Sequence, residues 1–208
     1  MNMGLSFFDK LKKLDVVLGS QSPRRKKLLE EIGLPFRIWA MPVEEHFPSH
    51  LRGKEVAGFL SKEKAVPFLP YLSPDTILIT ADTIVVSGNT ILNKADTAQK
   101  ASEMLKLLSA EKHQVITGVS LTSVNDQKTF YEVSNVTFYP LTDEEISVYI
   151  ETCKPFDKAG AYGIQEWIGS VGVEKIEGSY HNIVGLPVAR LYRELKEFYT
   201  VNFAIREH

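Results

Sequence analysis

The sequence predicts one α/β domain whose two lobes meet over a cleft. Three observations carry that reading. Residues 14–25 read as a short apolar strand, a Gly-Ser turn and a capped helix. Residues 76–86 form an apolar run of the kind buried mid-sheet, with both faces covered. Residues 115–121 and 130–139 are alternating stretches joined by a polar connection, which reads as an antiparallel pair.

Val16-Val17-Leu18 is the first strand, and Gly19 ends it. In Ser20-Gln21-Ser22-Pro23-Arg24-Arg25, Ser22 is a favourable N-cap and Pro23 suits the first helical position. Leu28, Leu29 and Ile32 then share one helix face. The helix start gathers backbone N–H groups, two hydroxyls and two guanidinium groups at one point. Such a point favours an anion, above all a phosphate. Plain capping is the competing reading, although two arginines in a first turn oppose the helix dipole until an anion arrives.

Gly33 is a natural helix stop, and residues 36–39 read as a second strand. Residues 41–53 hold two prolines, Glu44, Glu45, His46 and His50, and read as a long loop, often a functional feature. From Glu55 a helix turns Val56, Phe59 and Leu60 inward, carries Lys62 and Lys64, and ends by Pro67 or Pro70.

The central run delivers Asp82 and Thr83 between Ala81 and Ile84. An unpaired buried carboxylate is expensive, so Asp82 reads as functional; an acid capping a neighbouring loop is the alternative. Ser87-Gly88-Asn89 turns the chain into a hairpin with residues 90–92. Lys94 and Asp96 precede a helix with Ala98, Ala101, Met104, Leu105 and Leu108 inward. After the antiparallel pair, Thr142-Asp143-Glu144-Glu145 is a capping box, opening a helix that buries Ile146, Tyr149 and Ile150.

Residues 157–165 place two glycines and two alanines around Tyr162, so the backbone can approach a ligand closely. Asp157, Lys158 and Gln165 add charge and hydrogen bonds; a turn-rich connector is the competing reading. Residues 171–176 read as a strand, and Gly178-Ser179-Tyr180-His181-Asn182 follows. Pro187 opens a closing helix that turns Val188, Leu191, Leu195 and Phe198 inward.

A chain of 208 residues can bury a substantial core. Its net charge of −2 argues against a general nucleic-acid binder, yet a nucleotide site needs only a few local cations. One cysteine, Cys153, excludes an internal disulfide and a zinc cluster and reads as a small buried hydrophobe. No apolar run approaches ~18 residues, so no membrane span is expected. Residues 1–13, with Phe7, Phe8 and Leu11 among lysines, read as an N-terminal arm, too charged for a secretory signal. The expectation is a cytoplasmic protein, one domain over residues 1–208. His46, His50, His113 and His181 lack metal-ligand spacing and read as solvated or structural. No Gly-x-x-x-x-Gly-Lys-Ser/Thr stretch is present, which speaks against a P-loop kinase or GTPase.

Ser20-Gln21-Ser22-Pro23-Arg24-Arg25, Ala81-Asp82-Thr83, residues 157–165, Gly178-Ser179-Tyr180-His181 and Val184-Gly185-Leu186-Pro187 are weak signals singly. In this order and spacing they resemble the Maf (septum-formation-like) nucleoside triphosphate pyrophosphatases, over residues 15–199. The resemblance implies an α/β fold with a mixed, strongly twisted sheet flanked by helices, and two lobes around a deep nucleotide-binding cleft. It implies hydrolysis of a nucleoside triphosphate to the monophosphate plus pyrophosphate with a divalent metal cofactor, Mg²⁺ or Mn²⁺. Ser22-Pro23 before the arginines, Thr83 after the aspartate, and Gly160-Ala161-Tyr162-Gly163-Ile164-Gln165 are similar to the branch that prefers dTTP and UTP. The branch linked to 7-methyl-GTP has tryptophan before its arginines and glutamine after its aspartate. The implied partner is the nucleotide, with no nucleic acid and no membrane, and a homodimer fits the family. One departure is Lys94-Ala95 where the family usually has Lys-Pro; without the stiffening proline a looser Lys94 is expected.

By that resemblance Ser20, Arg24, Arg25, Lys64 and Lys94 cradle the triphosphate, arginines in two-pronged fashion and lysines as point charges. Lys64 and Lys94 join Asp82 in the catalytic set. Asp82 orients or deprotonates the water, holds the metal, or does both. Glu45 is the matching second carboxylate, with Glu44 as its substitute. Magnesium binds few protein carboxylates and keeps waters, so Glu45, Asp82 and phosphate oxygens suffice. Gln165 donates and accepts at once, which suits a pyrimidine edge or a phosphate oxygen, and Thr83 with residues 160–163 shapes the base pocket. The competing function is a nucleotide-binding regulator of cell division without important turnover. Paired carboxylates discriminate, since a pure triphosphate binder has little use for acids beside its phosphates.

Overall fold

A computed structural model describes residues 6–204. Seven strands form one mixed sheet: β1 (Asp15–Leu18), β2 (Arg37–Ile38), β3 (Thr76–Ser87), β4 (Thr90–Leu92), β5 (Lys112–Thr122), β6 (Gln127–Phe138) and β7 (Val173–Glu177). Their order is β2-β1-β3-β5-β6-β7, with β4 also on β3. β1 runs parallel to β2 and β3, and the remaining pairings are antiparallel.

β3 is the spine, and its pairing opens the cleft. β5 follows one edge of it from Leu78 to Val86. On the other edge β1 pairs only as far as Ile79, and β4 begins at Val85. The stretch between, which holds Asp82 and Thr83, is left without a strand on that side. Alternation sends successive side chains of β3 to opposite faces. Ile84 and Val86, with Ile116, pack against Val56, Ala57 and Leu60 of α3 (Lys54–Glu63). Val85 and Val115 join the larger core that includes Leu191, Leu195 and Phe198 of α8 (Val188–Asn202). Asp82 therefore faces the α3 side and Thr83 the other.

Gly118 lies opposite Asp82 in the register. A Cβ there would sit 2.1 Å from the Ala57 carbonyl oxygen, so only glycine lets α3 lie this close to the sheet. The same approach brings Lys64, the C-cap of α3, over Asp82.

Several elements differ from expectation. The N-terminal arm, free by its sequence to fray or to pack, packs where it is described: α1 (Phe7–Leu11) buries Leu11, and Phe7 and Phe8 meet Tyr192 edge-on at 5.6 and 5.7 Å. Residues 1–5 of that arm lie outside the described residues. Ala98 opens α4 (Ala98–Leu108) but is exposed, and the buried face of the helix begins at Ala101. Cys153 ends α5 (Asp143–Cys153) only half-buried. The strand expected from residue 171 starts at Val173, since Val171 closes a short helix, α6 (Trp167–Val171). A second short helix, α7 (Tyr180–Val184), is capped by Ser179. Pro187 is the N-cap of α8 rather than its first residue. Among the described residues no helix is long and apolar enough to cross a membrane.

Candidate functional site

The cleft at the unpaired edge of β3 has a volume of about 550 Å³. All nine residues expected from the sequence line it: Ser20, Arg24, Arg25, Glu45, Lys64, Asp82, Thr83, Lys94 and Gln165.

The first wall is the start of α2 (Pro23–Glu31). Ser22 caps it, its Oγ accepting from the Arg25 N–H at 3.4 Å, and Ser20 Oγ accepts from the Ser22 N–H at 3.2 Å. The expectation that both guanidinium groups converge on one point is corrected. Neighbours along a helix do not face the same way, and the two part company. Arg24 Nη1 donates to Asp157 Oδ2 at 2.9 Å. Arg25 reaches three neutral oxygens instead: Gly185 O at 2.9 Å, Ser20 Oγ at 3.3 Å and Thr83 Oγ1 at 3.2 Å. Thr83 Oγ1 also meets Thr117 Oγ1 at 2.9 Å, so Arg25 is tied to the sheet through a hydroxyl pair.

The floor is an acid–lysine cluster. Asp82 is 6% exposed and accepts a hydrogen bond from Lys64 Nζ, which answers the cost of burying a carboxylate. The same ammonium donates to Glu45 Oε1 at 2.9 Å, so one lysine joins two acids. Lys94 Nζ donates to Glu45 Oε1 at 2.9 Å and to Oε2 at 3.1 Å. Partial burial works against the Glu45 charge, but hydrogen bonds from Lys64 and Lys94 outweigh it and hold the carboxyl down to about 2. Glu44, named as its substitute, points into solvent and sits 3.3 Å from His46 Nε2. Beside Ala95, which is buried, the Lys94 backbone forms an isolated antiparallel bridge with Ala159, while its side chain is half exposed.

The second wall is the loop between α5 and α6. Gln165 is exposed there. Lys158 Nζ donates to Asp157 Oδ1 at 2.6 Å and lies 2.9 Å from Glu166 Oε1. Glu166 and its partner Tyr149 escaped the sequence reading, because Tyr149 reads as one more inward position of α5. His113 is structural, as read: it is buried beside Tyr162 Oη at 2.8 Å, and burial pushes its pKa down to about 4.

Glu45 and Asp82 offer hard oxygen donors within reach of one ammonium, a set that suits Mg²⁺ or Mn²⁺ when substrate oxygens and waters complete the shell. Among the described residues no group of three or more His, Cys, Asp and Glu side chains is placed to hold a metal unaided.

The description "Maf-like protein" matches residues 15–198, and the chain belongs to that family. It is 47% identical over 190 residues to a protein of Phocaeicola vulgatus named dTTP/UTP pyrophosphatase, covering 91% of this chain and 98% of that protein. A protein of Cytophaga hutchinsonii with the same name is 44% identical over 201 residues, covering 97% and 92%. One of Bacteroides fragilis, again so named, is 47% identical over 188 residues, covering 90% and 97%.

Proposed function

We propose that this chain hydrolyses dTTP and UTP to the nucleoside monophosphate and pyrophosphate, with a divalent metal ion. The observation that carries the reading is Asp82, held by Lys64 on an open strand edge inside a cleft lined with cations. The names carried by relatives at 44–47% identity support the same reaction and base preference.

In this reading the triphosphate lies between α2 and Lys94. A water oxygen attacks the α-phosphorus, the bond from that phosphorus to the bridging oxygen breaks, and pyrophosphate leaves. Asp82 orients the water and accepts its proton. Arg24, Lys64 and Lys94 leave their carboxylate partners to take phosphate oxygens, and Arg25 and Ser20 hold the α2 end of the cradle. Thr83 and Gln165 face the base.

Charge balance supports a metal. Among the described residues five cations and four carboxylates line the cleft, an excess of one positive charge that falls short of a triphosphate. Glu45 and Asp82 would hold the ion, which supplies the missing positive charge to the phosphate oxygens. A cytoplasmic setting belongs to this reading, and a homodimer belongs to it on family grounds; light scattering on the purified chain checks the dimer.

The test is pyrophosphate release from dTTP, UTP, CTP, dATP, GTP and 7-methyl-GTP, with Mg²⁺, with Mn²⁺ and with chelator. Metal-dependent release favouring dTTP and UTP is expected. Preference for 7-methyl-GTP would overturn the base assignment, and full activity in chelator would overturn the metal.

A further inference from the structure

The loop that carries Gln165 touches β4 near its start, through the Gly160 N–H on Leu92 O at 3.0 Å, and Gly160 and Ala161 both adopt positive φ, +68° and +56°. One side chain does much of the holding. Glu166 folds back over the loop, and its Oε2 accepts from the Tyr149 hydroxyl. That hydroxyl in turn accepts from the Gly163 N–H at 3.0 Å, and the Glu166 N–H donates to Gly163 O at 3.0 Å. The other carboxylate oxygen, Oε1, lies 2.9 Å from Lys158 Nζ. A Cβ at Gly163 would stand 2.7 Å from Glu166 Cδ and 3.0 Å from Lys158 Cε, so the missing side chain is what admits the fold-back.

Glu166 thus fastens the loop at its start, through Lys158, and in its middle, through Tyr149 and Gly163. Tyr149 is fully buried in α5, so the fastening is to the core. Burial and the bond to Glu166 both push the Tyr149 phenol upward, which keeps it a donor. From Lys158 the chain of charges continues to Asp157 at 2.6 Å and Arg24 at 2.9 Å, across the cleft mouth.

We infer that Glu166 is a positioning residue for base discrimination: it sets the loop from which Gln165 meets the pyrimidine, without touching the reacting phosphorus. This rests on the dTTP/UTP pyrophosphatase reading above. Its consequence is selective. Loosening the loop costs recognition of the base edge and leaves the chemistry on Asp82 in place.

The test compares pyrophosphate release from UTP and CTP by wild type, Glu166→Gln and Glu166→Ala, with the melting temperature of each. Glu166→Gln keeps the shape and an acceptor for Tyr149 but gives up the charge that holds Lys158. It should lower the UTP:CTP ratio of kcat/KM about tenfold, through KM, with kcat changed less than about threefold. Glu166→Ala, which loses both bonds, should lower the ratio further. A Glu166→Gln protein with an unchanged UTP:CTP ratio overturns the inference and leaves the function standing, and so does an equal loss on both nucleotides. Wild type that treats UTP and CTP alike would take down the preference for dTTP and UTP and the inference together.

Discussion

Two groups of four charges line the cleft, and they are built for different ends. Glu45, Lys64, Asp82 and Lys94 come from two loops, a helix end and an open strand edge, and meet on two lysine nitrogens. Arg24, Asp157, Lys158 and Glu166 form a line that begins on α2 and ends against buried Tyr149. Each group holds two cations and two carboxylates, so net charge does not separate them. What lies behind each does. The first is an acid pair with movable lysines, a set that a phosphate and a metal can rearrange. The second is tied to the core and keeps a loop in shape.

The largest break in that contrast should come from Gly118→Ala. The added methyl meets the Ala57 carbonyl and must push α3 from the sheet, carrying Lys64 off Asp82. About 1–3 kcal/mol of stability should go. Turnover should fall roughly 10²-fold, because displacement of about 1 Å is costly in a catalytic cluster. The Arg24 line should persist, so nucleotide binding should suffer far less. Measured turnover near wild type would mean that the placement of Lys64 over Asp82 is not needed.

A smaller effect is expected on the other side. Arg24→Ala removes a charge-assisted contact worth about 1.5–3 kcal/mol, so triphosphate affinity should drop about tenfold or more. Affinity for the nucleoside should change little. Isothermal titration with UTP and uridine separates the cases: equal losses would mean that Arg24 supports the fold or touches the base.

The third difference is in acid. Burial depresses His113 from 6.5 to about 4, so the folded protein keeps it neutral while the unfolded chain takes up a proton. Stability from this source is complete above pH 6.5 and is lost as the pH falls toward 4. For Glu45, burial is outweighed by Lys64 and Lys94, and its contribution is complete above pH 4.5 and is lost only on the way to about 2. The region around Tyr162 should therefore weaken before the acid–lysine cluster does. Denaturant melts at a series of pH values should show the upper slope vanish in His113→Phe and remain in Glu45→Gln. A slope between pH 6.5 and 4 that survives His113→Phe would assign it elsewhere.

The two regions also differed in how readable they were. Asp82 announced itself, since an acid in an apolar strand run demands a partner, and the structure supplies Lys64. The strand–turn–helix start was legible because Ser22 and Pro23 have fixed positional preferences at helix starts. The divergence of Arg24 and Arg25 follows from helix geometry, which turns neighbouring side chains apart. Glu166 was hidden, because its role depends on a tyrosine distant in sequence and on the absence of a side chain at Gly163. Gly118 lies within an alternating strand run, and the demand for glycine there shows only once α3 is laid across it. The bridge from Lys94 to Ala159 joins two distant loops, and local pattern carries no trace of it.

The most direct measurement is on Asp82→Asn, with turnover and binding taken side by side. Pyrophosphate release from UTP is followed in saturating Mg²⁺, and UTP affinity is measured on the same sample. Removing a general base costs about 10²–10⁴-fold. The prediction is a loss of turnover in that range, with binding within about tenfold of wild type. Full turnover in Asp82→Asn would contradict the assignment of the chemistry to this strand edge.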